Sequence, residues 1–250
     1  MEKVLKAIKE AKCMAALTGA GVSTLCGIPD FRGPQGLYRN PDAERIFDID
    51  WFDRDPGIYY RGCRELVYGL GGFRPGPVHL ALKSLEDHGK LAGIATQNID
   101  MLHQQAGSKN VYEVHGSPAF HHCRRCGAKK SFQDIMAMIA ANGGVDKLGK
   151  EYIPTCACGG VFKPDITFFG EALPEEAFRR AGELAARADV MFVLGTSLTV
   201  YPAAGLPQLT LRHGGKVFIV NGQPTPLDDR ASGCYPDLAS FSALLMANFG

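Results

Sequence analysis

An apolar run that ends in a glycine turn is the feature that most constrains the fold of this chain. Residues Cys13–Leu17 have the length and composition of a strand buried on both faces, as in a parallel sheet. Gly19 and Gly21 follow directly and would let the backbone turn tightly and approach a pyrophosphate at a helix N-terminus. Thr24 stands where the usual dinucleotide fingerprint has its third glycine, so the segment alone fits a nucleotide-binding loop and a purely structural turn equally well.

Further apolar strands alternate with helical patterns along the chain. Strands are predicted at Leu91–Thr96, Val190–Leu194 and Lys216–Val220 in addition to the first. Helices are predicted at Val4–Ala11, His79–His88, Glu175–Ala186 and Leu238–Ala247. Strands that alternate with helices predict an α/β fold with a doubly wound parallel sheet.

Two stretches break this alternation. Residues 34–76 are rich in aromatic residues, glycine and proline, with short helical pieces such as Pro56–Val67. Residues 117–163 contain four of the eight cysteines. We predict that these two stretches form a smaller second domain, and that residues 1–33, 77–116 and 164–250 form the parallel-sheet domain. A chain of 250 residues is long enough for both.

The composition argues against several classes of partner. The net charge of +1 predicts no general attraction to nucleic acid or to an anionic membrane. No run of 18 apolar residues is present, so no transmembrane span is predicted. The amphipathic segment Met1–Lys12 lacks the apolar core and cleavage site of a signal peptide. We therefore predict a cytoplasmic protein.

Four cysteines lie in two short pairs, Cys123 with Cys126 and Cys156 with Cys158. Paired spacing in a chain without a secretion signal indicates metal ligation rather than a disulfide framework. Four thiolates can hold zinc tetrahedrally in a closed site, which predicts a structural metal. The second pair is separated by one residue, which is tighter than most zinc knuckles, and redox-active thiols are the main alternative.

Polar side chains follow the predicted strand Leu91–Thr96. Gln97, Asn98 and Asp100 supply amide and acid groups within four positions. Because the carboxyl ends of strands line the ligand crevice of a doubly wound sheet, these groups could bond a carboxamide and ribose hydroxyls. A helix N-cap formed by Asn98 or Asp100 is an equal alternative.

His115 follows another short apolar stretch, Val111–Val114. A histidine that titrates near neutrality is the usual general base, although a lone histidine more often has a structural role. Two later strands end in small hydrogen-bonding residues, Gly195-Thr196-Ser197 and Asn221-Gly222. Either could contact the adenosine half of a dinucleotide or be an ordinary strand-to-loop turn.

Taken together, these motifs resemble those of the sirtuins, NAD-dependent protein deacylases of the bacterial or archaeal type. The resemblance runs from about residue 10 to the C-terminus. It rests on Gly19–Ser23, Gly27–Gly33, Thr96–His103, His115-Gly116, the two cysteine pairs, Phe168–Glu171 and Gly195–Ser197. It implies that the large domain is a Rossmann-type NAD-binding domain and the small one bears the structural zinc. NAD and an acyl-lysine peptide would meet in the cleft between them.

The resemblance also implies the reaction. The acyl group, acetyl in the simplest case, would pass from lysine to ADP-ribose, releasing nicotinamide and 2′-O-acyl-ADP-ribose. His115 would act as general base on the ribose hydroxyls. Asp100 and the backbone at Ile99 would bond the nicotinamide carboxamide, and Asn98 would hold a water or a ribose hydroxyl.

The resemblance carries the remaining binding roles as well. The implied cofactor-binding residues are Gly19, Ala20, Gly21, Ser23, Thr24, Phe31, Arg32, Gln97, Asn98, Ile99, Asp100, Gly195, Thr196, Ser197, Asn221 and Leu238. Among them, Ser23 and Arg32 suit phosphate, and Phe31 could shield the reactive ribose face. The peptide would add as a strand between Ile166–Phe169 and Leu198–Tyr201, against Thr167, Phe168 and Val200.

The chain departs from the sirtuin pattern at a few positions. Cys26 stands where serine is common, either as a small neutral filler or as an oxidation-sensitive thiol, and Thr167 stands where valine is usual. Sirtuins that prefer acidic acyl groups carry Tyr-x-x-Arg, but Cys63 lies three residues after Tyr60. This favours neutral acyl groups such as acetyl, although Arg64, one position away, leaves an acidic group possible.

Other functions remain to be weighed against a deacetylase. An NAD dehydrogenase would need the third glycine that Thr24 replaces. A zinc-ribbon protein that binds nucleic acid would use the basic patch from Arg124 to Lys130, in a chain whose charge is otherwise balanced. A mono-ADP-ribosyltransferase, or a deacylase for longer acyl groups, could use the same site.

Overall fold

The structure, a computed structural model, describes residues 2–30, 43–69 and 72–250, and this part of the chain contains nine strands and eleven α-helices. The strands are β1 Met14–Thr18, β2 Leu91–Thr96, β3 Val111–Glu113, β4 Gly116–Cys123, β5 Lys129–Ser131, β6 Phe162–Ile166, β7 Val190–Leu194, β8 Lys216–Val220 and β9 Gly233–Tyr235. The helices are α1 Glu2–Glu10, α2 Gly21–Thr24, α3 Ala43–Ile46, α4 Ile49–Arg54, α5 Pro56–Gly62, α6 Pro77–Asp87, α7 Leu102–Gln105, α8 Phe132–Ala141, α9 Glu175–Arg187, α10 Leu206–Arg212 and α11 Leu238–Phe249. A π-helical turn, Arg64–Tyr68, follows α5.

Six parallel strands form the main sheet, in the order β3-β2-β1-β7-β8-β9. Counted along the chain this is the order 3-2-1-4-5-6 of a dinucleotide-binding sheet. The chain builds the sheet outward from β1 in one direction and from β7 in the other. The predicted α/β fold with a doubly wound parallel sheet is therefore confirmed.

Helices cover both faces of this sheet because its central strands alternate their side chains between two cores. In β1, Met14 and Ala16 face a core with α1, α6 and α11, whereas Ala15 and Leu17 face a core with α9 and α10. All residues of β1 are buried, which explains the continuous apolar run in the sequence. None of the described helices has both the length and the apolar character needed to cross a membrane.

The predicted elements of this sheet agree closely with the observed ones. β2, β7 and β8 have the predicted bounds, and the four predicted helices differ from α1, α6, α9 and α11 by at most two residues at either end. β1 begins one residue later than predicted, after Cys13, whose amide donates to the Asp189 carboxylate (3.1 Å). The short strands β3 and β9, at the two sheet edges, were not predicted because three half-exposed residues carry little pattern.

A second, antiparallel sheet of three strands, in the order β5-β4-β6, lies in the other part of the protein. Its strands pack with α3, α4, α5 and α8 around a core rich in aromatic residues. The Tyr60 hydroxyl of α5 donates to the Phe162 carbonyl of β6 at 2.6 Å, which ties the two inserted stretches together. β6 runs from residue 162 to residue 166, across the boundary expected at residue 164, and the division into domains stays a prediction.

The chain passes from one sheet to the other through His115 and Gly116. Gly116 has a φ of +71°, and a Cβ there would lie 2.0 Å from the Asp165 carbonyl oxygen. The Thr167 amide donates to the His115 carbonyl at 2.9 Å, so β6 and the segment after it pair closely with this crossing. Only glycine permits this close approach at residue 116, and the approach fixes where His115 lies.

Two glycine turns interlock where β1 and β7 end. The Gly21 amide donates to the Gly195 carbonyl at 2.9 Å, and the Gly19 amide donates to the Leu194 carbonyl at 3.0 Å. A Cβ on Gly21 would lie 2.8 Å from the Gly195 Cα, and one on Gly195 would lie 2.5 Å from the Val22 amide nitrogen. The glycines therefore permit close contact between two backbones. This is the structural turn that the sequence predicted as one of two roles for Gly19 and Gly21.

We expect Gly21→Ala to lower the free energy of unfolding by about 1–3 kcal/mol, because the methyl group would force the two turns apart. Gly182→Ala is the matched control: it lies inside α9, where the nearest atom to the new Cβ is 3.9 Å away. Urea unfolding of both variants measures the difference. Equal stabilities for Gly21→Ala and the native chain would contradict the interlocked turns.

Candidate active site

A cavity of about 690 Å³ opens at the carboxyl ends of the parallel strands. The loops after β1, β2, β7, β8 and β9 form one wall, and the segment after β6 forms the opposite one. The cavity lies beside the point between β1 and β7 where the strand order reverses. This is where doubly wound sheets bind their ligands, because the loops on either side diverge there.

Most of the residues singled out in the sequence line this cavity. They are Gly19, Ala20, Gly21, Thr24, Gln97, Asn98, Ile99, His115, Thr167, Phe168, Gly195, Thr196, Ser197, Val200, Asn221 and Leu238. Ser23 and Asp100 do not line it and lie buried behind it. Phe31 and Arg32 fall outside the described residues, so their predicted roles stay predictions.

Sequence reasoning missed several lining residues. They are Leu25, Phe47, Leu173, Pro202, Gln223, Pro236 and Asp237. Asp237 had a readable signal, since it is the N-cap of α11 and its carboxylate accepts from the amides of Ala239 and Ser240, both at 3.0 Å. Phe47 had none, because it reaches the cavity from an inserted segment that no strand pattern places.

Ser23, Asn98 and Asp100 form a buried hydrogen-bond network behind the cavity wall. The Ser23 hydroxyl donates to Asp100 Oδ2 at 2.6 Å, and the Asn98 Nδ2 donates to both, at 3.1 and 3.2 Å. Asp100 Oδ1 accepts from the Leu102 amide at 3.0 Å, at the start of α7. The Ser23 hydroxyl thus donates to a carboxylate, and the phosphate contact predicted for it stays a prediction. Asp100 both holds Asn98 and serves the helix start.

The backbone that carries Asn98 is fixed by a second buried set of polar groups. The Asn98 amide donates to Thr96 Oγ1 (3.1 Å), which also accepts from the Thr18 hydroxyl (2.8 Å). His103 Nε2 lies 3.0 Å from Thr18 Oγ1, and burial lowers the pKa of His103 to about 3. The ring is therefore neutral at physiological pH, and β1, β2 and α7 together hold the loop after β2.

His115 lies at the cavity with one ring nitrogen bound to the backbone. Its Nδ1 is 3.2 Å from the Gln97 carbonyl oxygen, so Nδ1 carries the proton and donates to it. In the neutral ring this leaves Nε2 with a lone pair. Burial lowers the pKa of His115, while the bond to Gln97 opposes the shift. The imidazole is therefore poised to accept a proton at neutral pH.

Gln97 joins the two halves of the cavity wall. Its Nε2 donates to Thr196 Oγ1 at 3.0 Å, and Thr196 Oγ1 lies 3.3 Å from the Leu198 amide, which donates to it. The loops after β2 and β7 are thereby held together across the end of β1. The loop after β2, whose Gln97 carbonyl accepts from His115, is thus bonded to the loop after β7, which is predicted to contact adenosine.

Thr167, Phe168 and Val200, the residues expected to contact a peptide, all line the cavity. The amides of Thr167, Phe168 and Phe169 are already donated within the protein, to the His115 carbonyl, the Glu171 carboxylate and the Phe47 carbonyl. Within the described residues, the Gly170 amide has no such acceptor. Of the amides at residues 167–170, only that of Gly170 is therefore left to donate to an added peptide strand, which is fewer than a free strand would offer.

The cavity is poor in positive charge. Its described lining residues include Asp30, Glu171 and Asp237, but no lysine or arginine. Arg64, the residue that left an acidic acyl group possible, donates to the carbonyls of Arg61 and Asp146 and does not line the cavity. Within the described residues, no side chain of this wall can form an ion pair with an acyl carboxylate.

The four paired cysteines converge at one end of the three-stranded sheet. The Sγ atoms of Cys123, Cys126, Cys156 and Cys158 all lie within 4.8 Å of one another. Cys123 and Cys158 are 3.4 Å apart at sulfur, and Cys126 and Cys156 are 3.8 Å apart. A tetrahedral zinc with Zn–S bonds of about 2.3 Å requires sulfurs about 3.8 Å apart, so the donor set fits zinc despite its short second pair.

Backbone amides donate to two sulfurs of this cluster, those of Cys123 and Cys158. The Cys126 and Arg125 amides lower the pKa of Cys123 to about 6, and the Arg125 amide lies 3.4 Å from its sulfur. The Gly160 amide donates to Cys158 Sγ, also at 3.4 Å. Such donors are typical of the surroundings of thiolate ligands, and with four sulfurs no position is left for a catalytic water.

We expect Cys123→Ala to lose bound zinc and to lower Tm by about 10 °C, because the metal holds β4 to the turn that carries Cys156 and Cys158. Cys234→Ala, a cysteine outside the cluster, is the control and should keep both. Zinc content by mass spectrometry and a thermal melt measure the two effects. A Cys123→Ala protein with full zinc and native Tm would contradict the structural metal.

Comparison with known proteins places the chain in a family. Residues 19–202 match the Sir2 family. An NAD-dependent protein deacetylase of Thermotoga maritima is 42% identical over 252 residues, covering 100% of this chain and 98% of the relative. NAD-dependent protein deacetylase 1 of Pyrobaculum aerophilum is 43% identical over 229 residues, covering 91% of this chain and 86% of the relative.

The fold agrees with this match over its whole length. A solved structure of a Sir2 variant with a deacetylated p53 peptide and 3′-O-acetyl ADP-ribose superposes with a TM-score of 0.90. It is 41% identical, and the match covers 99% of this chain and 98% of that one. Sequence match, identity and fold together confirm the resemblance carried by the motifs: this chain belongs to the Sir2 family.

Proposed function

We propose that the protein is an NAD-dependent protein-lysine deacetylase that transfers the acetyl group of acetyl-lysine to ADP-ribose and releases nicotinamide. The observation that carries this function is His115, a neutral imidazole held at Nδ1, in a cavity between dinucleotide-binding loops and a peptide-facing segment. Family membership supports it over the whole chain. Bound NAD would supply the ADP-ribose acceptor, with nicotinamide as the leaving group, and one water would supply the oxygen and hydrogens needed to give free lysine and O-acetyl-ADP-ribose.

The loops at the switch point would bind the cofactor along the cavity. Gly195, Thr196, Ser197 and Asn221 are small or polar residues on the loops after β7 and β8, which suit the adenosine half, and apolar Leu238 at the start of α11 lines the same part of the cavity. The backbone of Gly19, Ala20 and Gly21, with Thr24 beside it, suits the diphosphate at the start of α2. Asn98 and Ile99 line the remaining part, where the nicotinamide ribose would lie.

Each catalytic residue then has a role that its surroundings permit. His115 Nε2 accepts a proton from a ribose hydroxyl, while Gln97 keeps the ring oriented. Asn98 presents its side-chain amide at the cavity wall, oriented by Asp100 and Ser23. We assign Asp100 and Ser23 a positioning role, because neither lines the cavity. The sulfurs of Cys123, Cys126, Cys156 and Cys158 would hold a structural zinc.

The substrate is an acyl-lysine peptide, and the cavity favours a neutral acyl group. Thr167, Phe168 and Val200 would contact the acyl-lysine side chain. Among the described lining residues no cation is present to pair with a succinyl or malonyl carboxylate. Thiolate ligation needs reduced cysteines, which supports the predicted cytoplasmic location. Other neutral acyl groups and ADP-ribosyl transfer to protein are the alternative outcomes.

Product analysis tests this function. The purified protein is given a peptide with one acetyl-lysine, with and without NAD, and the products are identified by mass spectrometry. We expect free lysine and O-acetyl-ADP-ribose only with NAD. The same peptide with succinyl-lysine should react at least tenfold more slowly, because no described cation pairs with its carboxylate. ADP-ribose attached to protein without deacetylation, or faster succinyl removal, would contradict the proposal.

We expect His115→Ala to lower kcat by about 10²–10⁴-fold through loss of the general base. His213→Ala, an exposed histidine that also bonds a backbone carbonyl through Nδ1, is the control and should keep native activity. Unchanged zinc content and Tm would show that the His115→Ala protein is folded. Native kcat in His115→Ala would contradict the assigned role.

The pH profile tests the protonation state of the same residue. His115 acts as a base only when it is neutral, that is, above its pKa, and burial lowers that pKa from 6.5. Activity should therefore persist as the pH falls through 6.5 and be lost at lower pH. The acid limb of kcat/KM for the peptide measures this value. An acid limb centred above pH 6.5 would contradict it.

A further inference from the structure

A buried lysine lies behind the peptide-facing wall of the cavity. Lys163 of β6 is 7% exposed and does not line the cavity. Its Nζ donates to Glu171 Oε2 at 2.7 Å, to the Ile166 carbonyl at 2.8 Å and to the Pro164 carbonyl at 3.2 Å. It also lies 4.0 Å from the centroid of the Phe168 ring. One ammonium group thus contacts both ends of the segment 166–171 that faces the cavity.

Glu171 transmits this contact to the backbone. Its Oε2 accepts from the Phe168 amide at 2.9 Å as well as from Lys163. The Glu171 amide donates to the Phe168 carbonyl at 3.0 Å, so the segment folds back on itself around the carboxylate. The Phe168 ring, held by the ammonium on one side, also packs edge-on against Phe47 and Phe52.

The ammonium and the carboxylate depend on each other. Burial lowers the pKa of Lys163, and its bond to Glu171 opposes that shift. If Glu171 is removed, the buried Lys163 ammonium is left without its counter-ion, which is strongly unfavourable. If Lys163 is removed, the Glu171 carboxylate, whose side chain is 24% exposed, loses the group that holds it in place. Glu171 would then turn toward solvent, and the Phe168 amide would lose its acceptor.

We propose that Lys163 is a positioning residue for substrate binding: through Glu171 and Phe168 it sets the conformation of segment 166–171 that receives the acyl-lysine peptide. The inference rests on the proposed deacetylase function. It predicts an effect on peptide binding that NAD binding does not share. The loops after β1, β7 and β8 that would hold the cofactor make none of the bonds of Lys163.

Steady-state kinetics of Lys163→Met test this role, because methionine has a similar length and cannot donate. We expect the peptide KM at saturating NAD to rise about tenfold, with the NAD KM and the zinc content unchanged. Lys150→Met, an exposed lysine of the same part of the fold, is the matched control and should leave all three unchanged. An unchanged peptide KM in Lys163→Met would overturn the inference. So would equal rises in both KM values with loss of zinc.

A double-mutant cycle tests the pairing itself. Glu171→Gln alone should also raise the peptide KM. The double variant Lys163→Met, Glu171→Gln should have a peptide KM no higher than that of the more impaired single variant, because both substitutions break the same ion pair. Additive effects would overturn the inference, and Glu171→Gln keeps the test open should Lys163→Met fail to fold. A native chain inactive on acetyl-lysine peptide would overturn the proposed function. An active native chain with unaffected variants would overturn only the role of Lys163.

Discussion

The contact between the glycine turns after β1 and β7 is the constraint on which the rest of the site depends. The Gly21 amide donates to the Gly195 carbonyl, and the two backbones lie too close together for a Cβ on either residue. This contact lies where the strand order of the main sheet reverses, so the loops on either side diverge from it and leave a cavity. Gln97 and Thr196 then tie the neighbouring loops across the same point.

The second sheet supplies the cavity wall opposite the cofactor-binding loops, so that the cavity can hold two substrates. The chain leaves the parallel sheet through His115 and enters the antiparallel one at Gly116, so the proposed general base stands at the junction of both. The segment after β6 is bonded to that junction and forms the opposite wall. We infer that the cysteine cluster and the Lys163–Glu171 ion pair both hold this wall in position, since both fix the sheet from which it extends.

The structural features predicted best from the sequence are those that burial determines. Fully buried strands such as β7 are continuous apolar runs, so their bounds were read correctly, and the four thiols were recognised from spacing alone. Short edge strands carry no such pattern, and of the inserted helices the sequence located only the helical piece Pro56–Val67, which corresponds to α5 and the π-helical turn after it. The sequence also could not show which polar residues face the cavity. Ser23 and Asp100 have the side chains of ligand-binding residues but bond each other behind the wall. Lys163 reads as an ordinary surface lysine and is buried.

The most direct test of this account is a crystal structure of the protein with a non-hydrolysable NAD analogue and an acetyl-lysine peptide. The account predicts adenosine against Thr196 and Asn221, the nicotinamide ribose near His115 Nε2, and the acetyl-lysine between Phe168 and Val200. It also predicts that Asp100 keeps its bond to Ser23 in the complex. A cofactor or peptide bound outside this cavity, or a His115 ring turned away from the ribose, would contradict it.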